Sequence, residues 1–218
     1  SSNLHTLHSE ELSLMKYFLK IFTLLFVLTS SIFPQKQSPE KPLTIAEKTA
    51  GSERFPGYFP FYWNAREGKV YLEIGRWDTE FLYVNSLPAG VGSNDIGLDR
   101  GQLGQGRVVK FRRTGPKVLL IEPNYSFRAV TDNPDERRAV EEAFAQSVLW
   151  GFDVAAEESS RVLVDATGFY LRDAHDVAGT LKRTNQGTFR LDASRSAFYL
   201  PRTKNFPLNT EVEATLTF

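Results

Sequence analysis

Short runs in which apolar and polar residues alternate, punctuated by glycine and proline, constrain this chain more than any other feature. Val70, Leu72 and Ile74 alternate with Lys69, Tyr71 and Glu73, the period of two that a half-buried strand requires. Gly68 and Gly75 bracket that run as turn residues. Strand character recurs over 80–87, 108–112, 117–122, 151–156, 161–165, 187–191 and 197–200, and Thr114-Gly115-Pro116 reads as a hairpin turn. Strands that follow one another without regular helical crossovers favour antiparallel pairing over a doubly wound fold.

Helical signals are fewer. Asn133 is a good N-cap, Pro134 suits the first helical position and Glu136 completes a capping-box spacing. Val140, Ala143, Phe144, Ser147 and Val148 then fall on one stripe, with Glu136, Arg137, Arg138, Glu141 and Glu142 around it. This predicts a long amphipathic helix over about 134–148, packed on the sheet. Shorter helices are expected at 44–48 and 173–182. The expected fold class is therefore α+β: a largely antiparallel β-sheet with one long amphipathic helix and one or two short ones.

Composition excludes whole classes of chemistry. With 26 basic and 26 acidic residues the formal charge is zero, so no long-range field favours nucleic acid. The absence of cysteine removes disulfides, thiolate metal sites and cysteine nucleophiles. His5, His8 and His175 are the only histidines.

The two ends are read as follows. From Met15 the chain runs MKYFLKIFTLLFVLTSSIFPQ. Lys16 and Lys20 make a basic n-region, 21–28 an apolar core, and Thr29, Ser30 and Ser31 a small-residue cleavage region, as in a secretory signal. Residues 1–14 are then upstream translated residues, 15–33 the signal peptide, 34–43 a linker and 44–218 a β-rich domain. Export to the periplasm, the outer membrane surface or the medium follows, and His5 and His8 leave the functional inventory. Over 210–218, Val212, Ala214, Leu216 and Phe218 alternate with Glu211, Glu213, Thr215 and Thr217. That is one half-buried strand, and it is expected to belong to a domain continuing past Phe218.

Several segments invite a chemical reading. The stretch 90–107, GVGSNDIGLDRGQLGQGR, is the most unusual. Its glycines are spaced GxxGxG, no Gly-Lys-Ser/Thr follows, and the next element reads as a strand, all of which count against a phosphate loop. Asn94, Asp95 and Asp99, with Arg100 beside them, are the candidate site residues, since oxygen ligands suit a hard cation; the spacing does not match an EF-hand. His175, in RDAHD, is expected in the first turn of a helix capped by Asp173. No Gly-x-Ser-x-Gly elbow accompanies it. The aromatic run Phe55, Tyr58, Phe59, Phe61, Tyr62 and Trp63 could stack a sugar or peptide, but dense aromatics beside strands more often fill a core. Arg195, Arg202 and Lys204, interleaved with Phe198, Tyr199 and Phe206, imitate a single-strand-binding pattern, and zero net charge favours a solvated edge.

Five long strings carry a resemblance: TAGSERFPGYFPFYW (49–63), EFLYVNSLPAGVGSNDIGLDRGQLG (80–104), GPKVLLIEPNYSFRA (115–129), NPDERRAVEEAFAQSVLWGF (133–152) and SAFYLPRTKNFPLNTEVEATLTF (196–218). They resemble the N-terminal region of a family of large exported bacterial zinc-dependent metalloproteases, whose metzincin-like catalytic domain follows uncharacterised N-terminal domains. The resemblance spans about 44–218. It implies peptide-bond hydrolysis by a full-length protein, zinc on an HExxHxxGxxH helix, and a peptide or protein substrate. This sequence has no HExxH. The resemblance therefore places no catalytic residue and no zinc ligand here, and implies a shielding, folding or substrate-positioning role beside the chain's own C-terminal catalytic domain. A free-standing periplasmic or secreted peptide- or glycan-binding module is the alternative.

Overall fold

A computed structural model describes residues 42–218 apart from residue 93. The expected upstream residues, the signal peptide and all but the last two linker residues lie outside the described residues. Eight strands form one sheet: β1 (Glu53–Phe55), β2 (Phe61–Asn64), β3 (Lys69–Ile74), β4 (Glu80–Tyr83), β5 (Arg107–Thr114), β6 (Lys117–Glu122), β7 (Ser147–Glu158) and β8 (Arg161–Asp165). Their order is β1-β2-β3-β8-β7-β6-β5-β4, and every neighbouring pair is antiparallel.

This order forces the sheet to curl. β3 and β4 are consecutive in the chain yet five strand positions apart, about 24 Å in a flat sheet at the usual spacing of roughly 4.8 Å. The six steps from Ile74 to Glu80 reach only about 21 Å even when fully extended. The strand at the far edge must therefore bend back, and aromatic contacts mark where it arrives. Phe81 of β4 meets Phe59 at 4.9 Å and Tyr58 at 6.5 Å between ring centroids.

The alternation read from the sequence divides the side chains between the two faces. Phe61, Val70, Leu72, Ile74, Val109, Phe111, Val118, Leu120, Phe152, Val162 and Val164 fill the inside of the curl, each no more than 3% exposed. Outside, Tyr62, Tyr71, Ala156 and Leu163 are covered by Ile45 of α1 (Ile45–Lys48). A capping box starts α1: the Thr44 hydroxyl accepts from the Glu47 N–H at 3.2 Å, and the Thr44 N–H donates to the Glu47 carboxylate at 2.8 Å. Burying Ile45, 3% exposed, contributes about 1.5–3 kcal/mol. The same outer face buries Glu73, which accepts from the Tyr62 hydroxyl at 2.8 Å and from Arg161 at 2.7 Å. Burial, and then the Glu73 carboxylate, push the Tyr62 hydroxyl above its ordinary range.

The α+β expectation is overturned. The protein is mostly antiparallel β with short helices only, and the long helix over 134–148 does not form. Asn133 does cap α2 (Pro134–Ala143), accepting from the Asp135 N–H at 3.0 Å, but Phe144 is already extended at φ −125° and ψ 92°. The physical reason is competition for Ser147 and Val148. β7 takes both, pairing Ser147 with Glu122 and Val148 with Ile121, and a ladder across twelve residues outweighs one further helical turn. Nor does α2 pack on the sheet as an amphipathic helix should, since none of its residues is buried.

Other boundaries also move. No strand forms over 187–191. The single strand expected over 210–218 divides into β11 (Asn209–Glu211), paired with β10 (Lys204–Phe206), and β12 (Ala214–Thr215), paired with β9 (Ala197–Phe198). The β10–β11 hairpin is stitched to the aromatic run by Asn205, whose side-chain amide donates to the Phe55 and Phe59 carbonyls at 2.8 Å each. Gly57 makes room for it: a Cβ there would lie 2.2 Å from the Asn205 Oδ1 atom.

Candidate functional site

Two helices and a loop close one end of the curl. After β8 come α3 (Thr167–Tyr170) and, beyond a bend, α4 (Val177–Arg183). Phe169 of α3 is 7% exposed and stacks against Tyr83 of β4, Trp150 and Phe152 of β7, with centroids 5.3–5.8 Å away. Arg172, just past α3, lies over two of these rings, 4.8 Å from the centroid of Phe169 and 5.3 Å from that of Trp150. Its Nε–H donates to the Phe169 carbonyl at 3.1 Å, and Nη2 donates to the Tyr83 hydroxyl at 3.1 Å. The guanidinium is thus held at four points by an aromatic wall.

Beside it, the Asn85 side-chain amide meets Nδ1 of His175 at 2.9 Å. With the amide assigned as donor, Nδ1 accepts and the ring proton sits on Nε2. Gly104 creates the space for Asn85, because a Cβ at 104 would fall 2.5–2.7 Å from the Asn85 side-chain atoms. Asp173 is not the N-cap residue as expected, a position that Asp176 takes, but its carboxylate still accepts from the Val177 and Ala178 N–H groups at 2.8 and 2.9 Å. His175, however, is not in the first helical turn as expected: α4 begins at Val177, after Asp176 in a left-handed conformation at φ 57°. The extra loop residues bring the imidazole to the β4 side instead.

The glycine-rich stretch is an ordered continuation of the β4–β5 hairpin. Ser86 bridges Leu103, the Gly104 N–H donates to the Asn85 carbonyl at 2.7 Å, and Leu87 exchanges bonds with Gln102 and Gly101. Leu98, 1% exposed, is its anchor. Asn94 and Asp95 fall in a 3-10 turn, Asn94–Ile96, while Asp99 and Arg100 follow it, Arg100 entering a turn; Asp95, Asp99 and Arg100 are exposed. Among the described residues no group of three or more His, Cys, Asp or Glu side chains could hold a metal ion.

The remaining sequence candidates are placed elsewhere. Phe55, Phe59 and Phe61 belong to the core or pack on it, with Phe55 stacked on Phe61 at 4.6 Å. Trp63 meets Phe198 at 5.5 Å. Arg195 pairs with Asp192 at 2.8 Å and Arg202 with Glu213 at 3.1 Å, so neither is a free cation. The Asp192 carboxyl is lowered to about 2 by the Ser194 hydroxyl first and Arg195 second. That acid lines a shallow depression of about 620 Å³ between 188–195 and Phe218.

Residues 101–218 match the family described as Domain of unknown function (DUF5117). The chain belongs to this family. No curated protein and no solved structure matches it. The DUF5117 segment supplies β5 to β8, both closing helices, Gly104, Trp150, Arg172 and His175, whereas Tyr83 and Asn85 precede it. The closed end is therefore completed by residues on both sides of the family boundary. Sequence reasoning missed Tyr83, Asn85, Trp150 and Arg172. Arg172 stood beside His175 in the RDAHD string, but Asn85 and His175 are 90 residues apart, and no local pattern announces such a contact.

Proposed function

We propose that this chain is the N-terminal accessory domain of an exported zinc-dependent metalloprotease, acting in shielding, folding or substrate positioning beside a catalytic domain that carries the zinc. The observation supporting this reading is where the resemblance to that protease family falls. It runs through SNDIGLDRGQLG, where Asp95, Asp99 and Arg100 are exposed, and through DERRAVEEA, which buries no residue in α2. Packing does not dictate residues at such positions, so likeness there speaks for a shared surface role rather than a shared core. Membership in DUF5117 is compatible with this and names no activity. His175 is engaged by Asn85, and the proposal assigns the zinc, its ligands and the hydrolytic step to the catalytic domain.

The test uses the full-length gene product. It should hydrolyse a denatured protein substrate, lose activity to a zinc chelator and regain it on adding zinc. Deleting 44–218 should change turnover or secretion without removing the zinc. A gene whose product holds no HExxH downstream of this domain, or a full-length protein that binds peptide or glycan but never cleaves it, would sink the proposal in favour of a binding module.

A further inference from the structure

We infer that Arg172, with Asn85 and His175 beside it, forms a binding site for a peptide carboxylate at the closed end of the curled sheet. The argument begins with charge. Arg54, Arg66, Arg76, Arg100, Arg128, Arg137, Arg172 and Arg190 have no carboxylate within salt-bridge distance among the described residues, and of these Arg172 alone is half-buried rather than exposed. A guanidinium withdrawn from water without a counter-ion is costly, and two aromatic faces offset only part of that cost.

The acids on neighbouring elements are already committed. Glu122 at the end of β6 is held by Arg107 of β5 at 2.6 Å. Asp173 spends both oxygens on the α4 backbone. Asp165 at the end of β8 pairs with Lys69 at 3.2 Å and accepts from the Thr167 N–H at 3.0 Å. None of these acids is within salt-bridge distance of the Arg172 guanidinium, although Asp173 keeps its charge next to it in the chain.

The geometry suits a planar, singly charged acceptor. Nε and Nη2 fix the fork against Phe169 and Tyr83, which leaves Nη1 without a protein partner among the described residues. Tyr83 and Asn85 are alternate residues of one extended segment, about 7 Å apart. The groups they hold, Arg172 and His175, are thus presented from neighbouring positions of one segment. The N–H groups left over there, Nη1–H, the second Nη2–H and the imidazole Nε2–H, are donors that an acceptor-only ligand can engage. One full cation matches a carboxylate better than a phosphate, which carries nearly two charges and three acceptor oxygens. This site belongs to the chain as described and does not depend on the protease reading.

The test is a titration of the full chain followed by two-dimensional NMR at the Trp150 indole N–H and the His175 ring. Four probes are added: acetyl-trialanine with a free carboxylate, the same peptide amidated, an amidated peptide with one internal glutamate, and inorganic phosphate. Saturable shifts from the free acid or the glutamate peptide, absent with the plain amide, support the site and tell a chain terminus from an acidic side chain. Arg172→Lys should weaken that binding roughly tenfold, since the fork is lost while the charge remains. Should that variant not fold, Tyr83→Phe, which keeps the ring and removes the hydroxyl that orients Nη2, should weaken it several-fold. Equal shifts from the amide, tighter binding of phosphate than of either carboxylate, or unaltered binding in a folded Arg172→Lys or Tyr83→Phe variant would overturn the inference.

Discussion

Two excursions leave the same sheet, and they are opposites. Residues 84–106, between β4 and β5, are rich in glycine and carry no helix or strand signal beyond their start, yet they are tied down by a ladder of backbone bonds and a buried Leu98. Residues 123–146, between β6 and β7, hold the strongest helix signal in the chain, with cap, proline and acidic first turn all in place, yet α2 buries nothing. Phe127 and Phe144, stacked at 3.8 Å, close the base of that arm, while Val130 at its bend is 99% exposed. A good local signal shows only that a segment prefers one conformation. It does not show that the rest of the molecule depends on it.

That contrast can be broken by substitution. The largest effect should come from Leu98→Ala. A fully buried leucine lost to a cavity costs about 2–4 kcal/mol, and amide exchange at Leu87, Gly101 and Gly104 should accelerate while the β3–β8 amides stay protected. If the whole sheet exchanges faster, the excursion is part of the core rather than an ordered appendage.

A smaller effect, about 1–2 kcal/mol, is expected for Gly104→Ala, because the new methyl collides with the Asn85 side chain. Its sharper readout is the His175 ring, whose NMR signals should move as Asn85 leaves it. Unmoved His175 signals would mean that the hairpin absorbs the methyl elsewhere.

The smallest global effect belongs to the best-formed local signal. Asn133→Ala should destabilise α2 by about 1 kcal/mol through the lost cap. Because no residue of α2 is buried, the urea midpoint of the whole chain should shift by less than about 0.5 kcal/mol equivalent. A global loss as large as the local one would show that the arm is coupled to the sheet.

The same logic explains what was legible. β3, β6 and β8 occupy the residues read as strands, 69–74, 117–122 and 161–165, β3 through its alternation and β6 and β8 through short apolar runs bounded by polar residues. β7 is longer than the 151–156 run by four residues at its start and two at its end, and its first residues look helical in isolation. The candidate site was legible only in fragments. Asp173 was marked as the N-cap and instead binds the first α4 N–H groups from outside the helix, with Asp176 at the cap position; the exposed loop residues Asp95, Asp99 and Arg100 drew attention through composition, whereas Arg172 and Asn85 lacked any pattern of their own.

By itself the sequence determined the strand faces, the α1 and α2 caps and the exclusion of thiol chemistry, since each depends on residues within a few positions or on composition alone. Only the tertiary structure decided that β4 lies five strands from β3, that Val148 belongs to a ladder rather than a helix, and that Asn85 reaches His175. Those outcomes depend on which distant segments meet when the sheet curls. A contact across 90 residues leaves no period in the chain, because periodicity reports the face a residue presents and never the partner that will cover it.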